Sequence, residues 1–320
     1  MMQELRYNPI TGEWIIVSAA TQVRPVQPSK TSCPICPGGV EFPDILDYDL
    51  ATFENRYPSL RRDAPEPNFR EKGPFMKERA LGICEVVVYT SKHDSSLPKM
   101  SPEQIHKLVK MWKERTRDLA KEDFIKYIFI FENRGKEVGA SLPHPHGQIY
   151  AFPFIPMRIK AKIEAMKRWY EERKKCLICE VIENENERIV YETKHFIALV
   201  PFYARFPYEV HIYPKRHISG IVQLSEKEER DLAEILKIVT MKYDALFEQE
   251  FPYMMMLFQA PVNLEEEVNH FFHFHIEFNP PKRDKNKLKW MASVETGTWT
   301  FINPIFPEEA AKRLREVKTV

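Results

Sequence analysis

The chain uses one pattern of chemically distinctive residues twice, and this repeat constrains its fold more than any single motif. The run from Glu85 to His93 carries Glu, Val, Tyr and His at positions that the run from Glu209 to His217 reproduces without a gap. At the same distance after each histidine, Ser101 and Ser225 begin matching helix-capping sequences. The sequence therefore predicts two related units in one chain.

Each unit continues in the same order after its capping sequence. Apolar residues at helical spacing come first, then an apolar strand candidate, and then a strand that opens with His-x-His. An amphipathic segment over residues 158–175 joins the units, with a boundary near residue 165, so we expect domains at residues 1–165 and 166–320. This order predicts an α+β fold with a largely antiparallel sheet and one long helix per repeat. The strand candidates are Tyr127–Phe131 and Tyr253–Phe258, and the histidine pairs are His144/His146 and His273/His275.

Composition excludes several classes of function. Among 320 residues, 47 Lys and Arg stand against 46 Asp and Glu, so no global charge favours nucleic acid or an anionic membrane as a partner. No apolar run approaches the roughly 20 residues that a bilayer-spanning helix needs, and the first residues lack the apolar core of a secretory signal. We therefore expect a cytoplasmic protein.

The cysteines form two Cys-x-x-Cys pairs, Cys33/Cys36 and Cys176/Cys179, with Cys84 alone. In a long chain without a secretion signal, such pairs are more typical of metal ligands than of a disulfide framework. A redox-active Cys-x-x-Cys is the alternative, and the sequence assigns no role to Cys84.

Two histidines in each half complete a set of four metal ligands. Two thiolates and two imidazoles suit tetrahedral zinc, and a set of four leaves no open position, which is typical of a structural site. In the alternative interpretation, His93 is a loop residue and the cysteines bind nothing. The repeat predicts two zinc sites, the first from Cys33, Cys36, His93 and His144, the second from Cys176, Cys179, His217 and His273.

The first histidine strand also offers reactive groups. On a strand, His144, His146 and Gln148 are expected to share a face, and Gly147 to let a ligand approach the backbone. His146 is a candidate nucleophile for phosphorus if its second nitrogen donates to a carbonyl and so fixes the tautomer. Gln148 is then placed to donate a hydrogen bond to a phosphoryl oxygen.

A turn-rich loop precedes this strand. The segment from Asn133 through Gly139 to Ser141 offers backbone amides and two polar side chains that suit a phosphate. A glycine-containing loop of this kind is also typical of an ordinary turn.

The run from Asn133 to Gln148, with its Gly-Ala-Ser-Leu-Pro-His-Pro-His-Gly-Gln ending, resembles the active-site segment of the galactose-1-phosphate uridylyltransferases, a family of the histidine-triad superfamily. The resemblance covers nearly the whole chain. It implies two tandem histidine-triad half-barrels, a homodimer, and ping-pong transfer of a uridylyl group between UDP-hexose and hexose-1-phosphate. Further landmarks are Arg6 to Trp14, Arg24-Pro25, Cys33-x-x-Cys36, Phe53 to Pro58, His93, and Pro304 to Leu314.

The same resemblance implies roles for individual residues. His146 would attack the α-phosphorus of UDP-glucose, release glucose-1-phosphate, and pass the uridylyl group to galactose-1-phosphate. Gln148 and Ser141 would bind phosphoryl oxygens. The other matching positions are Arg24, Asn55 and Asn133 for nucleotide or phosphate, and Lys289 and Glu295 for the sugar phosphate across a dimer.

The chain departs from the family pattern in its second half. Bacterial members resembling it build an iron site from a Glu and three His, but Gln259 and Lys162 stand where one His and the Glu are expected. We therefore predict zinc in the second set, with iron as the alternative. His275 is followed by Ile-Glu rather than Gly-Gln and is interpreted as non-catalytic, or else as a ligand of an iron-like site.

Two departures concern substrate selectivity. Arg56 stands where the common pattern has an acidic residue, and Val294 where it has an aromatic one. A phosphorylase of nucleoside-diphosphate sugars such as ADP-glucose therefore remains an alternative, as does a zinc-stabilised binding protein without turnover. A hydrolase is disfavoured because histidine-triad hydrolases carry a third His at the position of Gln148.

Overall fold

The repeated pattern folds into one antiparallel sheet that runs through both halves of the chain. A computed structural model describes residues 3–19, 22 and 32–319. The first half contains β1 (Gln3–Asn8), β2 (Glu13–Ser18), β3 (Ala51–Glu54), β4 (Glu71–Lys72), β5 (Phe75–Arg79), β6 (Ile83–Val88), α1 (Pro102–Leu119), β7 (Tyr127–Arg134) and β8 (His146–Phe152). The second half contains α2 (Met157–Arg173), α3 (Leu177–Asn184), β9 (Ile189–Glu192), β10 (Phe196–Leu199), β11 (Val210–Pro214), α4 (Glu226–Leu246), β12 (Tyr253–Phe258), β13 (His275–Asn279), β14 (Lys282–Asp284), β15 (Lys287–Leu288), α5 (Ser293–Thr298) and α6 (Pro307–Glu316).

The nine strands of the main sheet lie in the order β3-β6-β8-β7-β12-β13-β11-β10-β9, and each neighbouring pair is antiparallel. Strands β6, β8 and β7 of the first half recur in reverse order as β12, β13 and β11 of the second. The halves meet where β7 pairs with β12, from Ile130 opposite Leu257 to Arg134 opposite Tyr253. The predicted α+β class with a largely antiparallel sheet is confirmed.

The two long helices, α1 and α4, lie side by side on one face of this sheet. Their apolar stripes bury Leu108 and Trp112 of α1 and Leu236 of α4 against Ile130 and Ile149 of the sheet. This layer is the main hydrophobic core, and it contains the residues that helical spacing predicts.

The two helix starts use their capping sequences differently. Ser225 and Glu228 form the reciprocal capping box that the sequence predicts for α4. Ser101 accepts a hydrogen bond from the Gln104 amide, but the Gln104 side chain donates to the Tyr89 carbonyl instead of reaching back. The second contact ties the start of α1 to the end of β6.

The opposite face of the sheet differs between the halves. In the second half α2 covers it, with Ile159 against Phe258 and Met166 in a cluster with Tyr213. In the first half the alternate residues of β8 that point to this face, His146, Gln148 and Tyr150, remain half-buried. The same surface is therefore a cleft in one repeat and interior in the other.

A small sheet in the order β2-β1-β5-β4 completes the first half. Within the described ranges, no helix combines the length and the apolar character that a membrane crossing requires.

Candidate active site and metal centres

Four predicted ligands of the first half converge at one end of β6 and β8. The Cys36 sulfur lies 3.3 Å from His93 Nδ1 and 3.4 Å from His144 Nδ1, and the four ligand atoms lie within 4.8 Å of one another. A tetrahedral zinc ion with bonds of about 2.3 Å to sulfur and 2.0 Å to nitrogen requires sulfur-to-nitrogen separations of about 3.5 Å. Cys33, Cys36, His93 and His144 therefore fit a four-coordinate metal ion.

The imidazole of His144 is already oriented for such an ion. Its Nε2 lies 2.7 Å from the Thr90 carbonyl, to which it donates, so Nδ1 carries the lone pair that faces the sulfurs. Burial lowers the pKa of His144 to about 4, which keeps the ring neutral as a metal ligand must be.

The second half builds the same cluster from the equivalent elements. Cys176 and Cys179 lie 3.4 and 3.5 Å from His273 Nδ1, and His217 Nδ1 lies 3.8 Å from Cys179. Here Nε2 of His273 donates to the Pro214 carbonyl and Nε2 of His217 to the Asn269 carbonyl. Because three antiparallel steps separate β8 from β13, the two clusters lie at opposite ends of the sheet.

The strand that carries the candidate nucleophile begins two residues later than expected. β8 starts at His146, so His144 lies in the preceding segment and belongs to the metal cluster. The expectation of one row of three groups is therefore met only by His146 and Gln148, which line the same cleft.

His146 has the tautomer that a nucleophile needs. Its Nδ1 lies 2.8 Å from the carbonyl of His144 and donates to it, which places the ring lone pair on Nε2. The residue that supplies this carbonyl is itself in the metal cluster, so the orientation of the reactive ring depends on that cluster.

Gly147 lines a cavity beside His146, and the absence of a side chain there is also required for packing. A Cβ atom at this position would lie 2.4 Å from the Tyr89 hydroxyl and 3.0 Å from the Phe131 carbonyl. The glycine therefore lets Tyr89 pass beneath β8 on the face away from the cleft.

Two adjoining cavities meet at the candidate nucleophile, and both are lined by Ser141, His146 and Gln148. In the first cavity, the Asn55 amide donates to Gln148 Oε1 at 3.4 Å. The second is lined further by Asn133 and Gly139, the latter at a left-handed φ of 78°. Six of the predicted site residues are thus brought together.

Three predicted binding residues are not part of this assembly. Lys289 and Glu295 form a buried ion pair with each other and line neither cavity. Arg24 lies outside the described residues.

The equivalent position in the second repeat is closed. His275 Nδ1 donates to the His273 carbonyl at 2.9 Å, as in the first repeat, but Nε2 accepts from the Lys162 ammonium at 2.7 Å. Lys162 also donates to Glu277 Oε1 at 2.6 Å, and Arg158 and Arg205 contact the same carboxylate. Burial lowers the pKa of His275 to about 3, so the ring is neutral and its lone pair is engaged.

Gln259 and Lys162 stand where the iron-binding family members have a His and a Glu, and both make contacts within the protein. Gln259 donates to the Ile128 carbonyl at 3.1 Å, and the Lys162 ammonium lies beside His275. The Lys162 ammonium thus lies beside Glu277, which together with Glu209 and His211 forms a third group of residues that could hold a metal ion.

Sequence reasoning missed two acidic residues around the site. Glu41 lines the first cavity, 3.5 Å from Arg56, and follows the Cys-x-x-Cys loop without a motif of its own. Glu132 is buried in β7, where the Tyr253 hydroxyl donates to it at 3.1 Å. The apolar run from Tyr127 to Phe131, which Glu132 continues, is the sequence signal for a buried carboxyl at this position.

The chain is similar over nearly its full length to characterised proteins. Residues 1–156 match the family described as galactose-1-phosphate uridyl transferase, N-terminal domain, and residues 162–320 match the C-terminal domain. The chain is 71% identical over 318 residues to the galactose-1-phosphate uridylyltransferase of Thermotoga maritima, with 99% of each protein covered. It is 31% identical over 334 residues to the ADP-glucose phosphorylase of Arabidopsis thaliana, covering 98% of this chain and 93% of that protein.

Solved structures agree with these relationships. A uridylyltransferase structure at 37% identity superposes with a TM-score of 0.88 and covers 98% of both chains. The Arabidopsis thaliana ADP-glucose phosphorylase with bound ADP-glucose, at 30% identity, gives a TM-score of 0.78 and covers 99% of both chains.

Stability should depend on pH through Glu132, since burial raises the pKa of this carboxyl to about 7 from 4.5. The folded state then favours the protonated form, so the contribution is fully present below about pH 4.5 and is lost as the pH rises through about 7. We expect Glu132→Gln to gain more than about 1 kcal/mol over the wild type at pH 8 relative to pH 5, measured by urea unfolding. The exposed Glu71→Gln is the control, and an equal difference at both pH values would contradict the assignment.

Proposed function

The chain belongs to the galactose-1-phosphate uridylyltransferase family, and from that premise we propose that it exchanges a uridylyl group between UDP-glucose and galactose-1-phosphate. The observation that carries the proposal is the hydrogen bond between His146 Nδ1 and the His144 carbonyl, because it leaves Nε2 as the nucleophilic nitrogen at the junction of two cavities.

In the first half-reaction, His146 Nε2 attacks the α-phosphorus of UDP-glucose. The phosphorus–nitrogen bond forms, the bond from the α-phosphorus to the bridging oxygen breaks, and glucose-1-phosphate leaves with that bond's electron pair. The positive charge that develops on the ring is stabilised because Nδ1–H already donates to a carbonyl.

In the second half-reaction, a phosphate oxygen of galactose-1-phosphate attacks the same phosphorus and displaces the Nε2 of His146. Both steps bring negative charge onto the non-bridging phosphoryl oxygens. The Gln148 amide and the Ser141 hydroxyl are the donors we assign to these oxygens, since both line the two cavities beside His146. In this assignment Gln148 and Ser141 act as hydrogen-bond donors and not as nucleophiles.

We assign zinc to both Cys/His clusters. Four ligands fill each tetrahedral set, so the ions would be structural and would take no direct part in the transfer. The first ion would fix the backbone at His144, whose carbonyl orients the nucleophile.

We further propose that two copies of the chain form the complete site. Lys289 and Glu295 line neither cavity of their own chain, but they belong to a C-terminal segment that exposes several large apolar side chains. Such a patch is typical of a protein interface. It contains Trp290, Met291, Val294, Trp299, Ile302 and Phe306.

Covalent transfer is tested by intact mass spectrometry without acid after incubation with UDP-glucose and no acceptor. We expect the wild type to gain the mass of one uridylyl group and His146→Ala to gain none. His275→Ala is the matched control from the second repeat and should retain the adduct, because its ring is engaged by Lys162.

Repeating the experiment with ADP-glucose as the donor distinguishes uridylyl transfer from the ADP-glucose phosphorylase activity named for one relative. ADP-glucose should give no adduct in this chain. An adenylyl adduct with no uridylyl adduct would instead favour the phosphorylase activity named for the Arabidopsis relative, and the absence of both would contradict covalent transfer.

Metal analysis should give two zinc ions per chain. Cys33→Ser and Cys176→Ser should each retain one, because each removes a ligand from a different cluster. Cys84→Ser should keep both, since Cys84 lies outside both clusters. Iron at the Cys176 cluster would overturn the assignment of zinc to the second half.

A shared site predicts that two inactive variants rescue each other. In a dimer of His146→Ala with Lys289→Ala, one of the two sites would combine an intact His146 with the partner copy's intact lysine. Co-expression with random pairing should therefore restore about a quarter of the wild-type activity. Co-expression of His146→Ala with His146→Gly should restore none, and the absence of rescue in the first pair would contradict a shared site.

A further inference from the structure

The first cavity contains an acidic side chain to which the transfer reaction assigns no role. Most of its wall is apolar, and it ends at His146 and Gln148. Among the described residues that line it, Glu41 is the only carboxylate and Arg56 the only guanidinium. The apolar residues are Pro34, Ile35, Val40, Phe53, Tyr57, Val86 and Leu142.

Glu41 is held in place by the loop of the first metal cluster. Its amide donates to the Pro34 carbonyl at 2.9 Å, and the Gly39 amide donates to the Cys36 carbonyl at 2.8 Å. A Cβ atom on Gly39 would lie 2.5 Å from the Cys33 carbonyl, so the loop closes tightly on itself. The metal ligands thus fix where the Glu41 side chain enters the cavity.

The Arg56 guanidinium lies near the Glu41 carboxylate but forms no close hydrogen bond with it. The closest nitrogen-to-oxygen distance is 3.5 Å, longer than the roughly 2.7–2.9 Å of a charge-assisted hydrogen bond. The Glu41 side chain is 21% exposed and the Arg56 side chain 50%. The carboxylate oxygens therefore remain able to accept hydrogen bonds from a ligand, while the nearby cation lowers the cost of placing a carboxylate near a diphosphate.

We propose that Glu41 accepts hydrogen bonds from the 2′ and 3′ hydroxyls of the donor's ribose and thereby makes the enzyme select ribonucleotide sugars. The proposal rests on the proposed function, and it places the nucleoside of the donor in this largely apolar cavity beside His146. A carboxylate is acceptor-only, and a vicinal diol offers two donors to it. The uracil edge presents two carbonyl oxygens beside its single N–H, so it is repelled by a carboxylate and fits the apolar wall.

The test compares UDP-glucose with its 2′,3′-dideoxyribose analogue as donors for the wild type and Glu41→Ala. We expect the variant to raise the KM for UDP-glucose roughly tenfold or more, with kcat changed less than about threefold, because a charge-assisted hydrogen bond is lost. For the dideoxy donor, whose ribose lacks both hydroxyls, the two proteins should have the same KM within about twofold.

Asp44→Ala is the matched control, since Asp44 is an exposed acidic residue of the same loop that does not line the cavity. It should leave both KM values unchanged. Metal content and uridylyl-adduct formation at saturating UDP-glucose establish that Glu41→Ala is folded. An equal loss with both donors, or no loss with either, would overturn the proposal. Failure of the proposed function shows separately, as wild-type protein that forms no adduct.

Discussion

The hydrogen bond from His146 Nδ1 to the carbonyl of His144 is the contact on which the active-site geometry depends. It joins two candidate functions that lie two residues apart, because one histidine belongs to a Cys/His cluster that could hold a metal ion and the other lines the cleft. A neutral imidazole on an ordinary strand rotates and exchanges tautomers. Here the backbone that supplies its partner is held by the cluster, and the cluster in turn gathers the N-terminal loop, the segment after β6 and the start of β8.

The two repeats share one arrangement of strands, yet the same face of the sheet is an open cleft in the first repeat and part of the interior in the second. The backbone contact of His146 recurs at His275, so the difference does not arise in the histidine strand. It arises in α2, which follows β8 directly and lies over the second half of the sheet, where it brings Lys162 against His275. Glu277 contacts the cations Lys162, Arg158 and Arg205, and Glu209 lies 3.9 Å from Arg205. With the second cleft closed, His146 is the candidate nucleophile of the two described histidine strands.

The two Cys/His clusters and the starts of the two long helices could be predicted from the sequence, because the same pattern occurs in both halves. The order Cys-x-x-Cys, His and His-x-His and its recurrence predict both clusters, and the capping sequences predict where α1 and α4 begin. The strand start at His146 was not accessible from the sequence, nor was the packing role of Gly147, which depends on Tyr89 passing beneath β8. Glu41 was missed for a related reason. Its importance comes from the cavity that the folded loop creates, and no local pattern marks it.

The pairing of β7 with β12 has a consequence for how the chain is made. β7 lies in the interior of the finished sheet, yet its partner strand β12 is synthesised about 120 residues later, an interval of the order of ten seconds at typical translation rates. Throughout that interval the nascent first half carries an unsatisfied row of backbone donors and acceptors along β7. Such an edge pairs readily with any strand that reaches it, including the same edge of a neighbouring nascent chain. The growing polypeptide is therefore most exposed to misassembly between the synthesis of β7 and the synthesis of β12, the two strands whose pairing joins the halves of the native protein.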